Sequence, residues 1–313
     1  MATTFDITPE ERASVHAFIK RQVSREPPIT LRKDVDLAGK TAIVTGGNTG
    51  LGFECCKQLL DLGLSRVIIA VRSEAKGEAG QKLLLEGRSF QDVEVWPLDL
   101  ALYRSVQSFA ERAATLNQLH IVIHNSGVSK ATFDINPSTG HEEDIQINYL
   151  SAALFAILLL PILESNNTPE RPGRFVLVNS ETSAWASFKE RNSTSLLVAF
   201  DKPENFVNMD RYWTSKLLGQ FFMTELAKRV PPTVAVINCD ITGLAHSSPD
   251  AAVNHGLVES HGHYIEDGKL QPMAPIIYKA EAENITKQLW RETMNELAFA
   301  NVEEILQSLS SKR

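Results

Sequence analysis

Six short runs rich in Val, Ile and Leu recur along the chain between stretches of helical periodicity, and this alternation constrains the fold more than any other feature. The runs are 41-TAIVTG-46, 66-RVIIAV-71, 92-DVEVWP-97, 119-LHIVIH-124, 174-RFVLVN-179 and 233-TVAVIN-238. Between them, apolar residues return with a helical period at about 50–62, 73–86, 103–116, 140–165 and 209–229. Strands that are apolar at consecutive positions are buried on both faces, and alternation with helices covers both faces of a parallel sheet. The expected fold is α/β, a doubly wound parallel sheet forming a single domain over 38–313. Ahead of it, Thr8-Pro9-Glu10-Glu11 predicts a helix start, with Thr8 as N-cap, Pro9 in the first turn and Glu11 closing a capping box. The stretch 24-SREPPIT-30 reads as a linker, so 1–37 is expected to be an N-terminal helix and its connection.

Composition removes several functional classes. A formal charge of −7 and a pI near 5.7, with no basic block, argue against a nucleic-acid or anionic-membrane surface. Cys55, Cys56 and Cys239 are an odd number without metal-ligand spacing, which suits a reducing compartment. The first twenty residues lack the basic end and apolar core of a signal peptide, and 152-AALFAILLLPIL-163 is too short to span a bilayer. These features predict a cytoplasmic protein with no transmembrane segment. His261/His263 and His120/His124 lack a third convergent ligand, so no metal site is expected.

In an open α/β sheet, ligands bind beyond the carboxyl ends of the strands. After the first run comes 45-TGGNTGLG-52, where Gly46, Gly50 and Gly52 allow a tight turn and close backbone approach to a pyrophosphate at a helix N-terminus. No lysine follows, which separates it from a nucleotidase phosphate loop. After the second run, Arg72 and Lys76 stand where an NAD site offers a carboxylate to the ribose. That pair suits a 2′-phosphate and predicts NADP(H) over NAD(H). Asp99 and Asn125 close the third and fourth strands and could hold an adenine edge and a ribose; each type is also a common turn or cap residue. Ser180 follows the fifth run. Tyr212 and Lys216 then sit four apart in a helical stretch and so share one face.

Taken in order, TGGNTGLG, the Asp of PLDLA, NSG, 147-INYLSA-152, VNSETS and YWTSK resemble the short-chain dehydrogenase/reductase family, closely over 38–243 and more loosely over 259–295. Within it, IIAVRSEAKGE, RYWTSKLLGQFFMTELAKR and 260-SHGHYIEDGKL-270 are similar to the retinol-dehydrogenase-like branch and its fungal, secondary-metabolism members. The resemblance implies a Rossmann-type sheet and a cofactor contact set of Gly46, Asn48, Gly50, Leu51, Gly52, Arg72, Lys76, Asp99, Asn125, Tyr212 and Lys216. It also implies that Tyr212 is the acid/base, that Lys216 is the cation favouring its phenolate, and that Ser180 bonds the substrate oxygen. Asn148 would support a proton relay beneath the lysine. A phenol with a pKa of about 10 is a poor base at neutral pH, so the neighbouring cation is chemically needed.

Three departures from the family pattern stand out. Ser180 and Tyr212 are 32 positions apart, and the intervening 184–208 is expected to add a substrate-lining loop. Ile241-Thr242-Gly243 replaces the usual Pro-Gly after the sixth strand. Beyond Gly243 only about 17 residues precede the SHGHY strand, so the substrate lid is shortened and 247–259 could form one short helix at most. Either the pocket is open, or the C-terminal segment and the N-terminal helix cover it. The expected function is NADP(H)-dependent interconversion of a carbonyl and an alcohol on a hydrophobic small molecule. The same scaffold could instead serve a non-redox isomerisation or cyclisation, or bind cofactor without turnover. By family analogy, a homodimer would form through the helices at 140–165 and 209–229.

Overall fold

The computed structural model describes residues 5–24, 30–240, 252–253, 257–266 and 268–311. Ile241, Thr242, Gly243 and most of 247–259 lie outside the described residues, and the expectations attached to them stay there.

Every run read as a strand forms one. The strands are β1 (Thr41–Thr45), β2 (Arg66–Val71), β3 (Asp92–Pro97), β4 (Ile121–His124), β5 (Gly173–Val178) and β6 (Ala235–Asp240), followed by β7 (Tyr264–Glu266) and β8 (Lys269–Gln271). They form one Rossmann-type sheet in the order β3-β2-β1-β4-β5-β6-β7-β8, parallel except where β8 runs antiparallel to β7. The sequence pattern did not show β8, because three-residue strands are too short for periodicity. A hairpin turn at Gly268, with φ +68°, joins it to β7.

Alternation along the strands divides the core. Ile43, Ile68, Val122 and Phe175 point to one side, beneath α5 (Tyr103–Ala113), α7 (Ser151–Ser165) and α9 (Asn208–Arg229). Val44, Val67, Ile69 and Ile123 point to the other, against α3 (Gly50–Asp61). Each such side chain removed from water stabilises the fold by roughly 1.5–3 kcal/mol. α4 (Glu74–Leu85) approaches the glycine turn closely, because a Cβ on Gly80 would lie 3.0 Å from Asn48 Cα.

The helix Glu143–Ser165 is long and apolar enough to cross a membrane by length and composition, yet 89% of its apolar window is buried inside the protein. Its first turns are α6 (Glu143–Ile145) and a π-helical turn over Gln146–Leu150, which runs into α7.

The stretch expected to form a substrate loop also contributes to the core. It contains α8 (Leu196–Phe200), and Phe188, Leu196 and Phe200 are completely buried, with Phe188 stacked on Phe200 at 6.0 Å. Beyond the short α10 (Leu257–Ser260), Glu292 on α11 (Ala282–Glu296) accepts hydrogen bonds from Leu196 N–H, Leu197 N–H and the Ser195 hydroxyl, which pins this segment to the C-terminal helices. α11 also covers α9, with Trp290 stacked on Phe222 at 5.6 Å, and α12 (Val302–Ser310) buries Val302, Leu306 and Leu309 in the same core. Residues 214–223 of α9 are consequently buried within one chain. The helix expected to pair two copies has no open face along that stretch.

At the N-terminus the capping box forms as read, with Glu11 N–H on Thr8 Oγ at 3.2 Å and Thr8 N–H on Glu11 Oε2 at 3.1 Å. It starts α1 (Pro9–Ala13), and after Ser14 the chain continues as α2 (Val15–Ser24).

Candidate active site

The strand order reverses between β1 and β4, and ligands of doubly wound sheets bind where it does. A cavity of about 480 Å³ opens there, lined by residues that follow β1, β2, β3 and β4. Asn48, Leu51, Arg72, Asp99 and Asn125 all line it, together with Gly46. Gly46 takes φ +68° and Gly50 φ +57°, a region open to glycine at little steric cost. A Cβ on Gly52 would lie 2.4 Å from the Gly46 carbonyl oxygen, so the close packing of turn and helix requires glycine there. The result is a cradle at the N-terminus of α3, where backbone N–H groups favour an anion.

Not every expected contact behaves alike. Arg72 reaches the cavity, whereas Lys76, one turn into α4, is exposed and does not line it. Asp99 accepts the Ala101 N–H at 3.0 Å and so shapes its own turn. Asn125 donates to the Thr45 carbonyl at 3.0 Å, while Thr45 Oγ accepts from the N–H groups of Asn125 and Ser126. Asn125 thus ties β4 to β1 at the switch point as well as lining the cavity. A larger groove of about 610 Å³, walled by Trp290, Met294 and Leu306, lies away from the strand ends and holds none of the candidate residues.

The acid/base candidates do not line this cavity; Asn148 and Lys216 stand behind its Gly127 and Val128 wall. Asn148 stands in the π turn, whose looser winding re-aims its side chain. Its oxygen accepts the Val128 N–H at 2.8 Å, and its nitrogen donates to the Val128 carbonyl at 2.8 Å and to Ser215 Oγ at 3.0 Å. A Cβ on Gly127 would lie 3.0 Å from Asn148 Oδ1 and 3.3 Å from Lys216 Nζ, so the two polar ends converge on the space left by that glycine. Lys216 Nζ donates to the Val178 carbonyl at 3.1 Å and lies 5.9 Å from the centre of the Tyr212 ring. Ser180 stands near enough to Tyr212 to lower its pKa, and its hydroxyl lies 2.8 Å from that of Thr182. Ser180, Tyr212, Lys216 and Asn148, drawn from three elements, are therefore neighbours.

Burial governs the electrostatics. It lowers the Lys216 pKa to about 8, against the opposing pull of Cys239 and Asp144. It raises the Tyr212 pKa, which the Ser180 hydroxyl partly offsets. Two contributors were not legible in the sequence. Asn179 donates to the Lys216 carbonyl at 2.9 Å and fixes α9 against β5. Asp144, completely buried one turn before Asn148, accepts the Lys130 N–H at 3.1 Å, and burial beside Glu142 raises its pKa to about 7. An i to i+4 offset from Asn148 was the sole sequence signal for Asp144. Among the described residues no group of three or more His, Cys, Asp or Glu side chains converges on a metal site.

Fold and site together define a dinucleotide-binding α/β architecture with a Tyr-x-x-x-Lys pair at its strand ends. The chain belongs to the short-chain dehydrogenase/reductase family of oxidoreductases. A family model described as short chain dehydrogenase matches residues 40–190, a span holding the glycine turn, Asn148 and Ser180. The short-chain dehydrogenase fogG of Aspergillus ruber is 46% identical across 99% of this chain and 100% of that protein. The short chain dehydrogenase/reductase mfmJ of Annulohypoxylon moriforme is 39% identical across 92% of this chain and 93% of its own length. The first alignment runs over 348 positions against 313 residues, so at least 35 positions of that relative face no residue here. Among solved structures, the menthone neomenthol reductase of Mentha piperita shares the fold, with TM-score 0.58 at 22% identity over 74% of this chain and 99% of that one. The RhlG/NADP active-site complex of Pseudomonas aeruginosa does so with TM-score 0.51 at 24% identity, over 66% of this chain and 72% of that one.

Proposed function

We propose that the protein is an NADP(H)-dependent reductase or dehydrogenase that interconverts a carbonyl and an alcohol on a hydrophobic small molecule, in fungal secondary metabolism. The observation that carries this reading is the grouping of Ser180, Tyr212, Lys216 and Asn148, with Asn148 and Lys216 directly behind Gly127 of the cavity that Arg72 also lines. The cradle fits a dinucleotide. Gly46, Asn48, Gly50, Leu51 and Gly52 would face its pyrophosphate, Asp99 and Asn125 its adenosine half, and Arg72 a 2′-phosphate. A bound nicotinamide supplies a hydride to the carbonyl carbon, or accepts one from the alcohol.

The remaining chemistry belongs to the chain. Tyr212 gives its hydroxyl proton to the carbonyl oxygen as negative charge develops, and Ser180 donates a hydrogen bond to that oxygen. Lys216, when charged, stabilises the phenolate that Tyr212 leaves behind. Asn148 holds the space beneath Lys216 through which a proton can return. Free, buried Cys55, Cys56 and Cys239 support a reducing, cytoplasmic setting.

The test pairs cofactor titration with product mass. Dissociation constants for NADPH and NADH are compared for wild type and Arg72→Ala. NADPH is expected to bind more tightly, and loss of a charged hydrogen-bond partner at about 1.5–3 kcal/mol weakens it by about ten- to a hundredfold. The alcohol formed from a ketone must be heavier than that ketone by two hydrogens as NADPH is consumed. Preference for NADH would sink the cofactor assignment. Product of unchanged mass without NADPH consumption would sink the redox assignment in favour of an isomerisation.

A further inference from the structure

The N-terminal helices are not an appendage. Arg12 on α1 is buried and pairs with two carboxylates, Glu181 at 3.4 Å and Glu266. Its guanidinium also lies 4.9 Å from the centre of the Tyr264 ring. Glu181 is the residue directly after Ser180, and Glu266 ends β7. β6 runs between β5 and β7 in the sheet, so Arg12 bridges the two sides of β6 at its carboxyl end. Further contacts reinforce the dock. Arg21 on α2 donates to Glu181 at 2.7 Å, and Gln22 donates to its other oxygen at 3.3 Å. The Trp185 ring N–H donates to the Ala13 carbonyl at 2.7 Å.

These contacts divide the strand-end rim into halves. The cofactor cavity takes the half formed by β1 to β4. The half formed by β5 to β7, which carries Ser180, lies under α1 and α2. An aromatic chain runs from α2 to α9, the helix that carries the acid/base pair. Phe18 meets Trp185 edge-on at 4.8 Å, and Trp185 meets Trp213 edge-on at 5.8 Å. Trp213 immediately follows Tyr212.

We infer that α1 and α2 form the outer wall of the substrate site, with Arg12 as the positioning residue that holds the wall against the Ser180 loop, and Phe18 and Trp185 as the aromatic face that selects bulky hydrophobic carbonyl compounds. This rests on the carbonyl-reductase reading above and gives its substrate class. Arg12 carries no charge to the reacting atoms; it acts through Glu181. Without it, Glu181 and Glu266 would each lose a guanidinium in a buried setting, Arg21 and Gln22 alone would tie Glu181 to α2, and the loop after β5 would shift with the helices that cover it.

The full chain is tested as wild type, Phe18→Ala, Trp185→Ala, Arg12→Ala and Arg12→Lys, with α-tetralone as the bulky ketone and diacetyl as the small one. Removing one aromatic contact is expected to raise KM for α-tetralone about tenfold. KM for diacetyl and the NADPH dissociation constant should stay within about twofold. Arg12→Lys should recover part of the loss seen in Arg12→Ala. Phe18→Ala leaves the Arg12 pairs intact, so it answers the question even if Arg12→Ala does not fold. A parallel arm follows quenching of tryptophan fluorescence by α-tetralone in NADP-saturated Tyr212→Phe protein, with and without Phe18→Ala, and needs no turnover. If neither ketone is reduced but Phe18→Ala still abolishes tetralone binding, the catalytic reading fails and the wall stands. Equal losses for both ketones, or weakened NADPH binding in Phe18→Ala, would overturn the wall.

Discussion

Lys216 is held in an apolar setting that resists the charge its chemistry needs. Burial brings its pKa to about 8, while Tyr212 is pushed upward from the ordinary phenol value. The two groups therefore titrate apart, and the free protein loses the lysine cation first as pH rises. The account predicts that kcat/KM for carbonyl reduction falls as pH rises through about 8, with the group on Lys216 and not on Tyr212 responsible. Lys216→Arg, if active, should remove that limb because a guanidinium stays charged. A profile flat from pH 7 to 9.5 in the unmodified protein would contradict the assignment. Tyr212 and Lys216 were legible in the sequence because a helical period of four places them on one face. Asn148 needed the family pattern, since a lone asparagine in a helix carries no local signal. Arg12 was invisible as a site residue, because its partners lie 169 and 254 positions away.

At the scale of elements, strands and helices were readable because burial on both faces leaves unbroken Val and Ile runs, and amphipathic helices keep their period. The segment 184–208 was not. Its mixed polar and aromatic composition suggested a loop, whereas Phe188 and Phe200 are core residues and Glu292 supplies the cap that fixes α8. That cap comes from a helix almost a hundred residues away, so no local pattern announces it. Glu292→Ala leaves two backbone N–H groups and the Ser195 hydroxyl without their acceptor, and should cost about 1–3 kcal/mol of stability. Thermal unfolding should register a lower Tm, with KM for substrate nearly unchanged. A large change in KM with Tm preserved would make α8 part of the substrate site.

At the scale of the molecule, the C-terminal helices decide what the long central helices can do. The stacking of Trp290 on Phe222 and the hydrogen bond of 2.6 Å between Tyr149 and Thr293 close the outer side of α9 and of the π turn. Two copies are accordingly expected not to pair through α9, which crosslinking between cysteines placed along that helix would check. A dimer crosslinked through α9 would contradict this packing. The N-terminal helices do for the β5–β7 half of the rim what the C-terminal helices do for the sheet's flank. The helices α1, α2, α11 and α12 are thereby all packed onto the single domain around the site.

The central claim is that Tyr212 passes the proton in a redox reaction at this site. It is tested most directly by single-turnover reduction of a ketone by NADPH in wild type and in Tyr212→Phe, with cofactor affinity measured alongside. Removing a general acid should slow the reaction by about 10²–10⁴-fold. The NADPH dissociation constant should remain within about twofold. A Tyr212→Phe protein that reduces the ketone at the wild-type rate would contradict the account.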